Sequence, residues 1–204
     1  TTLQRLGSHM GKATNSDLED IELAKACEAG NDRAQAQLFE KYSGQMMAVC
    51  LRYGSDYEEA QDMFQDGFIK VFRKIHMYNG KGPLGAWIRR TIANNALDHL
   101  RKMKRERDNV SLFQVEYKLE SDEFDDPFSD EGPKISADRL TELIQKMPTG
   151  YRTVFNLYLI EEYSHKEIAE QLGITESTSK TQYRKAKAFM KKLVEQEYKE
   201  ALSE

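Results

Sequence analysis

The chain is poor in the residues that cross-link or break a fold, with two cysteines, four prolines and a single tryptophan in 204 residues. Cys27 and Cys50 have no CxxC or Cys/His spacing around them, which excludes a zinc-finger pattern and a disulfide framework and leaves two buried thiols as the expectation. The four histidines form no HExxH motif, triad or metal-ligand cluster, and no phosphate loop accompanies them. The chain is therefore not expected to be an enzyme or to need a cofactor or metal. No apolar run approaches the roughly 18 residues of a membrane span, and no charged-then-apolar leader precedes a cleavage site, so a cytoplasmic protein without membrane insertion is expected. Gly7-Ser8-His9-Met10 reads as a cloning scar, and residues 1–12 are expected to be tag residues outside the fold.

Strict alternation of apolar and polar residues is also missing. Leu, Ala, Lys, Glu and Gln dominate while Val and Pro are scarce, which points to an all-α protein built as two small helical domains. The first is expected over residues 13–107. Ala60, Met63, Phe64, Gly67, Phe68, Val71, Phe72 and Ile75 recur at helical spacing as an apolar stripe, leaving Asp62, Gln65, Asp66 and Arg73 on the wet side. A Gly-rich break from Tyr78 to Gly85 ends that helix, and Trp87 opens the next. There Ile88, Ile92, Ala96, Leu100 and Met103 form a core stripe, with Arg90, Asn94, Arg101 and Lys104 largely on another face. Residues 108–134, rich in acids and breakers, read as a flexible acidic linker.

The second domain is expected over residues 135–204, with Leu140, Leu143, Ile144 and Met147 on one helix and Val154 to Leu159 on the next. Ser164 followed by Glu167 fits a capping box, with Ile168 and Leu172 pointing inward. Ala169 is small enough for a close helix crossing, Gly173 supplies a turn, Ile174 plugs it and Thr175 can cap the helix that follows. On that helix Tyr183, Ala186, Met190 and Leu193 face inward. Ser177, Lys180, Thr181, Arg184 and Lys187 remain outside, a face suited to DNA in a helix-turn-helix. Ser177, Lys180 and Thr181 would reach base edges and Arg184, Lys185 and Lys187 phosphates, with Thr178 counted among the same DNA-binding residues. A solvated basic helix is the bland alternative, and a basic face alone does not exclude it.

The net charge of -4 argues against a general nucleic-acid binder, because phosphate neutralisation drives that affinity. Its distribution argues otherwise. Arg89, Arg90, Arg101, Lys102, Lys104, Arg105 and Arg107 stand against only Asp98 and Glu106, and a second basic run follows Lys180.

The order of these motifs is similar to sigma factors of the extracytoplasmic-function group of the sigma-70 family. Ala60-x-Asp62-x-x-Gln65-Asp66-x-Phe68 resembles region 2.2, and Trp87-Ile88-Arg89-Arg90 with Asn94, Asp98, Leu100 and Arg101 resembles regions 2.3 and 2.4. Leu143, Met147-Pro148, Tyr151-Arg152, Val154-Phe155 and the helix-turn-helix resemble region 4. The chain departs from the family pattern at Thr91, Ser179, Gln182 and Lys187.

The resemblance implies a sigma factor that binds core RNA polymerase and directs promoter-specific initiation. Asp62, Gln65, Asp66 and Ile69 would dock on the β′ clamp, and region 4 would contact the β flap. Asn79, Lys81, Arg89, Arg90, Asn94, Asn95, Arg101, Lys102, Lys104 and Arg105 would read and melt the minus-ten element of promoter DNA, holding its single-stranded non-template strand. The Gly-rich loop would grip a flipped base, although by its own composition it is a plain connection. The recognition helix would read the minus-thirty-five element. An anti-sigma factor is a further implied partner. The rival reading is a free-standing helix-turn-helix transcription regulator, for which the first domain offers no ligand or dimer signature. Asp62 and Asp66, one helical turn apart, could imitate a catalytic carboxylate pair, but without a base or phosphate loop nearby they read as an interaction face.

Overall fold

The structure, a computed structural model, describes residues 15–106 and 136–201, with side chains over 18–103 and 136–199. The expected tag at 1–12 and acidic linker at 108–134 lie outside the described residues. Within them the chain is helical and contains no strand.

The first domain consists of α1 (Asn15–Glu28), α2 (Asp32–Tyr53), α3 (Tyr57–Lys74) and α4 (Leu84–Glu106). Caps set the helix starts. The Asn31 side chain accepts from Ala34 N at 3.1 Å, and Asp56 accepts from Glu59 N at 2.8 Å. That second cap begins α3 at Tyr57, three positions before its apolar stripe, because an N-cap satisfies backbone donors ahead of the first buried residue. The stripe behaves as expected: Ala60, Met63, Val71 and Ile75 are buried against Ile88, Ile92 and Ala96 of α4. Gly67 lies where α3 meets α4, and a Cβ there would sit 2.5 Å from Ile92 Cδ1. Cys27 and Cys50 are free and buried, and burial pushes the Cys50 thiol up to about 12.

The Gly-rich connection is shorter than its composition suggests. A 3-10 turn at Ile75–Met77 is followed by a loop over 78–83, and Gly85 lies inside α4, packed on the Tyr42 ring. The helix starts ahead of Trp87 because a buried acid caps it: Asp20 of α1 accepts from Leu84 N at 3.2 Å, from Lys41 Nζ at 2.8 Å and from the Tyr42 hydroxyl at 3.2 Å.

The second domain holds α5 (Ala137–Gln145), α6 (Thr149–Phe155), α7 (His165–Leu172) and α8 (Glu176–Ala201) around Leu143, Ile144, Met147, Tyr151, Phe155, Ala186 and Met190. The segment expected to continue α6 as ordinary helix instead widens into a π turn at Asn156–Ile160. This turns Leu157 inward and leaves Tyr158 and Leu159 exposed. The two domains touch: Val154, Leu157, Ile168 and Leu172 pack into the apolar cluster of the first domain.

Candidate nucleic-acid interface

The helix-turn-helix is built from local bonds. Ser164 Oγ accepts from Glu167 N at 3.3 Å while Glu167 Oε2 accepts from Ser164 N at 2.9 Å, closing the capping box on α7. The Ser164 hydroxyl, donating to Glu167 Oε2 at 2.7 Å, and the Ser164 N–H hold the Glu167 carboxyl below its ordinary range. Gly173 takes φ +64°, the left-handed conformation that glycine enters without steric penalty, and its N–H donates to Ala169 O. Thr175 Oγ1 then accepts from Thr178 N at 3.0 Å and starts α8.

On α8, Ser177, Lys180, Thr181 and Arg184 are exposed, while Thr178, Lys185 and Lys187 are half-buried. Thr178 is tied by its hydroxyl to Thr175 at 2.8 Å, and Lys187 Nζ lies 5.2 Å from the Tyr183 ring centre. Lys180 pairs with Glu176 at 2.7 Å, one turn earlier on the same helix. Two departures from the family pattern lie off this face: Ser179 is fully buried and Gln182 nearly so. Ser179 Oγ shares a 2.9 Å hydrogen bond with His165 Nδ1, and the His165 ring stacks on Tyr158 at 4.3 Å. Burial, aided by Lys180, holds His165 below its ordinary value, and its ring braces α7 against α8.

On α3, Asp62, Gln65, Asp66 and Ile69 are exposed at i, i+3, i+4, i+7 spacing. An apolar groove of about 390 Å³ runs beside them, lined by Phe39, Met47, Phe64, Phe68, Ile69 and Phe72. Phe39 and Ile69 are 42% and 50% exposed, unusual for large apolar residues at the mouth of one groove. Sequence reasoning missed Phe39 and Met47. They sit on α2 and reach this face only by helix packing, so no spacing within α3 marks them.

The ten residues expected at the minus-ten element divide between the 78–83 loop and α4. Asn79 and Lys81 are exposed in the 78–83 loop, which is internally braced: Asn79 Oδ1 accepts from Lys81 N at 3.0 Å and the Tyr78 hydroxyl donates to Gly82 O at 2.8 Å. Arg90 and Lys102 are exposed, with the Arg90 guanidinium 5.6 Å from the Tyr163 ring centre. Asn95, expected near bases, is buried, and its Nδ2 donates to Met63 O at 2.8 Å, which makes it a tie between α3 and α4. Asn94 Oδ1 is buried without a hydrogen-bond partner. The side chains of Lys104 and Arg105 lie outside the described residues.

Arg89 and Arg101 are engaged across the domain boundary. Arg89 Nε donates to Glu161 Oε2 at 2.9 Å, and its Nη2 donates to Glu161 Oε1 at 3.2 Å and to Ile160 O at 2.8 Å. Arg52 Nη2 approaches the same carboxylate at 3.6 Å. Arg101 Nη2 donates to the Gln171 carbonyl and to Gln171 Oε1, and Asp98 orients its Nη1 at 3.0 Å.

The chain matches two family models in order, Sigma-70 region 2 over residues 38–106 and Sigma-70, region 4, over residues 137–190. It is 25% identical over 188 residues to the RNA polymerase sigma-H factor of Pseudomonas aeruginosa, spanning 90% of this chain and 97% of that one. It is 27% identical over 173 residues to the extracytoplasmic-function sigma factor SigW of Bacillus subtilis, spanning 82% and 92%. Among solved structures it is similar to CnrH in complex with the cytosolic domain of CnrY, with a TM-score of 0.45 and 21% identity over 86% of this chain and 97% of that one. It is also similar to the sigma factor RpoE in complex with the anti-sigma factor NepR from Bartonella quintana, with a TM-score of 0.47 and 19% identity over 78% and 96%. With regions 2 and 4 in order on one chain, the protein belongs to the extracytoplasmic-function group of the sigma-70 family, whose members bind RNA polymerase and direct it to promoters.

Proposed function

We propose a division of labour over three faces of this sigma factor. The exposed α3 row of Asp62, Gln65, Asp66 and Ile69, with the apolar groove beside it, docks on the clamp of the polymerase β′ subunit. The α4 face and the 78–83 loop take the minus-ten element, with Arg89, Arg90, Arg101 and Lys102 tracking phosphate and Asn79 and Lys81 beside an extruded base. The N-terminal half of α8 reads the minus-thirty-five element, and the second domain also meets the β flap. The protein acts in the cytoplasm, contributes no catalytic step of its own and is held in check by an anti-sigma partner.

The observation that carries this reading is the separation of an acidic, apolar-rimmed face on α3 from a polar face on α8, each outside its own domain's core. A rim of Asp beside exposed Phe and Ile suits a protein partner, since phosphate repels carboxylates. A free-standing regulator would need only the α8 face.

Size-exclusion chromatography with core RNA polymerase tests it. The wild type should co-elute, the Asp62→Ala/Gln65→Ala variant should bind at least tenfold more weakly, and Lys180→Ala/Arg184→Ala should bind polymerase normally but lose promoter-directed transcripts. Duplex binding without polymerase and no co-elution would favour the regulator. Equal loss of both activities in both variants would sink the division of labour.

A further inference from the structure

We propose that the seam between the two domains is a latch: Glu161 and Gln171 of the second domain occupy Arg89 and Arg101 of the first, so the closed chain withholds its minus-ten face. The polymerase face on α3 and the minus-thirty-five face on α8 stay open. The proposal rests on the assignment of Arg89 and Arg101 to promoter DNA.

Geometry carries the first part of the argument. Arg89 makes a forked pair with the Glu161 carboxylate and a third bond to Ile160 O. A guanidinium fork matches a carboxylate or a phosphate in the same way, so one Arg89 fork cannot serve both at once. Arg101 is committed likewise to two oxygens of Gln171. Glu161 is suited to hold: its side chain is only 7% exposed and it faces Arg52 as well as Arg89. By contrast Asp62, Gln65, Asp66 and Ile69, like Ser177, Lys180, Thr181 and Arg184, are exposed in the same closed arrangement.

The seam is also poorly satisfied, which separates a latch from a permanent interface. Arg52 Nε, Tyr53 Oη, Arg152 Nε and Nη2, Asn156 Oδ1 and Tyr163 Oη are buried without a hydrogen-bond partner. Asn156 and Arg52 meet directly, Asn156 Nδ2 donating to Arg52 O at 2.6 Å, and burial lowers the Arg52 and Arg152 guanidiniums from their ordinary values. Where closure buries such an atom without a partner, opening returns its hydration. Beside the clasp, Glu162 holds φ +59°, a left-handed conformation that a side chain disfavours. The apolar contacts of Val154, Leu157, Ile168 and Leu172 favour the closed form against these penalties. Two opposed terms leave an equilibrium that DNA can shift by competing for Arg89.

Glu161→Gln tests the latch, with Glu162→Gln as control, because Glu162 is exposed and its substitution removes the same charge without touching the bridge. Small-angle scattering on the full chain should give a compact wild type and control, and a radius of gyration several ångströms larger for Glu161→Gln. Fluorescence anisotropy with a fluorescein-labelled dT20 oligonucleotide should show Glu161→Gln binding about fivefold or more tightly than the control. Circular dichroism establishes that both variants keep wild-type helix content. If Glu161→Gln misfolds, Leu172→Ala supplies the second opening variant, because it removes an apolar contact that favours closure, and its expansion and tighter dT20 binding support the latch in the same way. A wild type already extended, or a Glu161→Gln that stays as compact as wild type and binds dT20 like the control, would overturn the latch. Expansion with unchanged dT20 affinity would overturn the competition and count against Arg89 and Arg101 as DNA residues. Co-elution of the same samples with core polymerase reports on the sigma assignment independently of either result.

Discussion

Asn94 and Asn95 are neighbours on one helix with different surroundings, and one amide bond decides the second. Asn95 Nδ2 reaches Met63 O, a contact 32 residues apart that no periodicity in α4 announces. Asn95→Ala should therefore lower stability by about 1 kcal/mol, the net worth of one buried neutral hydrogen bond, while leaving polymerase-dependent promoter binding unchanged well below the melting temperature. Urea unfolding and an electrophoretic shift on the holoenzyme check the two halves of that statement. A selective loss of DNA binding at full stability would return Asn95 to the DNA face. Asp20 was equally invisible in sequence. A lone acid in a first helix has no pattern, yet three donors from α2 and α4 converge on it and fix where α4 begins. Ser179 makes the reverse case: a departure on the recognition helix proves to be packing, because its hydroxyl faces His165.

At the scale of the element, what could be read in advance was what is encoded within a few residues. The α7 capping box, the Gly173 turn and the Thr175 cap all sit in one 12-residue stretch and hold as expected. Because α7 is only eight residues long, its cap matters more than propensity. Ser164→Ala should remove about 1 kcal/mol and lower the melting temperature by roughly 2–4 °C, read by thermal circular dichroism. An unchanged melting temperature would mean that packing alone holds α7. The starts of α3 and α4 and the π turn after Phe155 were not legible: the first is set by a cap ahead of its apolar stripe, the second by a distant carboxylate, and the π turn lies where Asn156 meets α2.

For the whole molecule, the seam couples two cores that the sequence presents as independent. Calorimetry should show one cooperative transition for the wild type and two for Glu161→Gln, since domains that share buried apolar area and an ion-pair clasp melt together only while the clasp holds. Two transitions in both proteins would mean that the seam adds little. Local spacing and short-range caps were enough for the helical class, the two apolar stripes and the helix-turn-helix, and the order of motifs resembled the family that the comparisons show. Tertiary structure alone decided that Asn95 is packing, that Phe39 and Met47 line the α3 groove, and that Arg89 and Arg101 face the second domain. Those outcomes depend on contacts between residues tens of positions apart, which helix periodicity orients but does not pair.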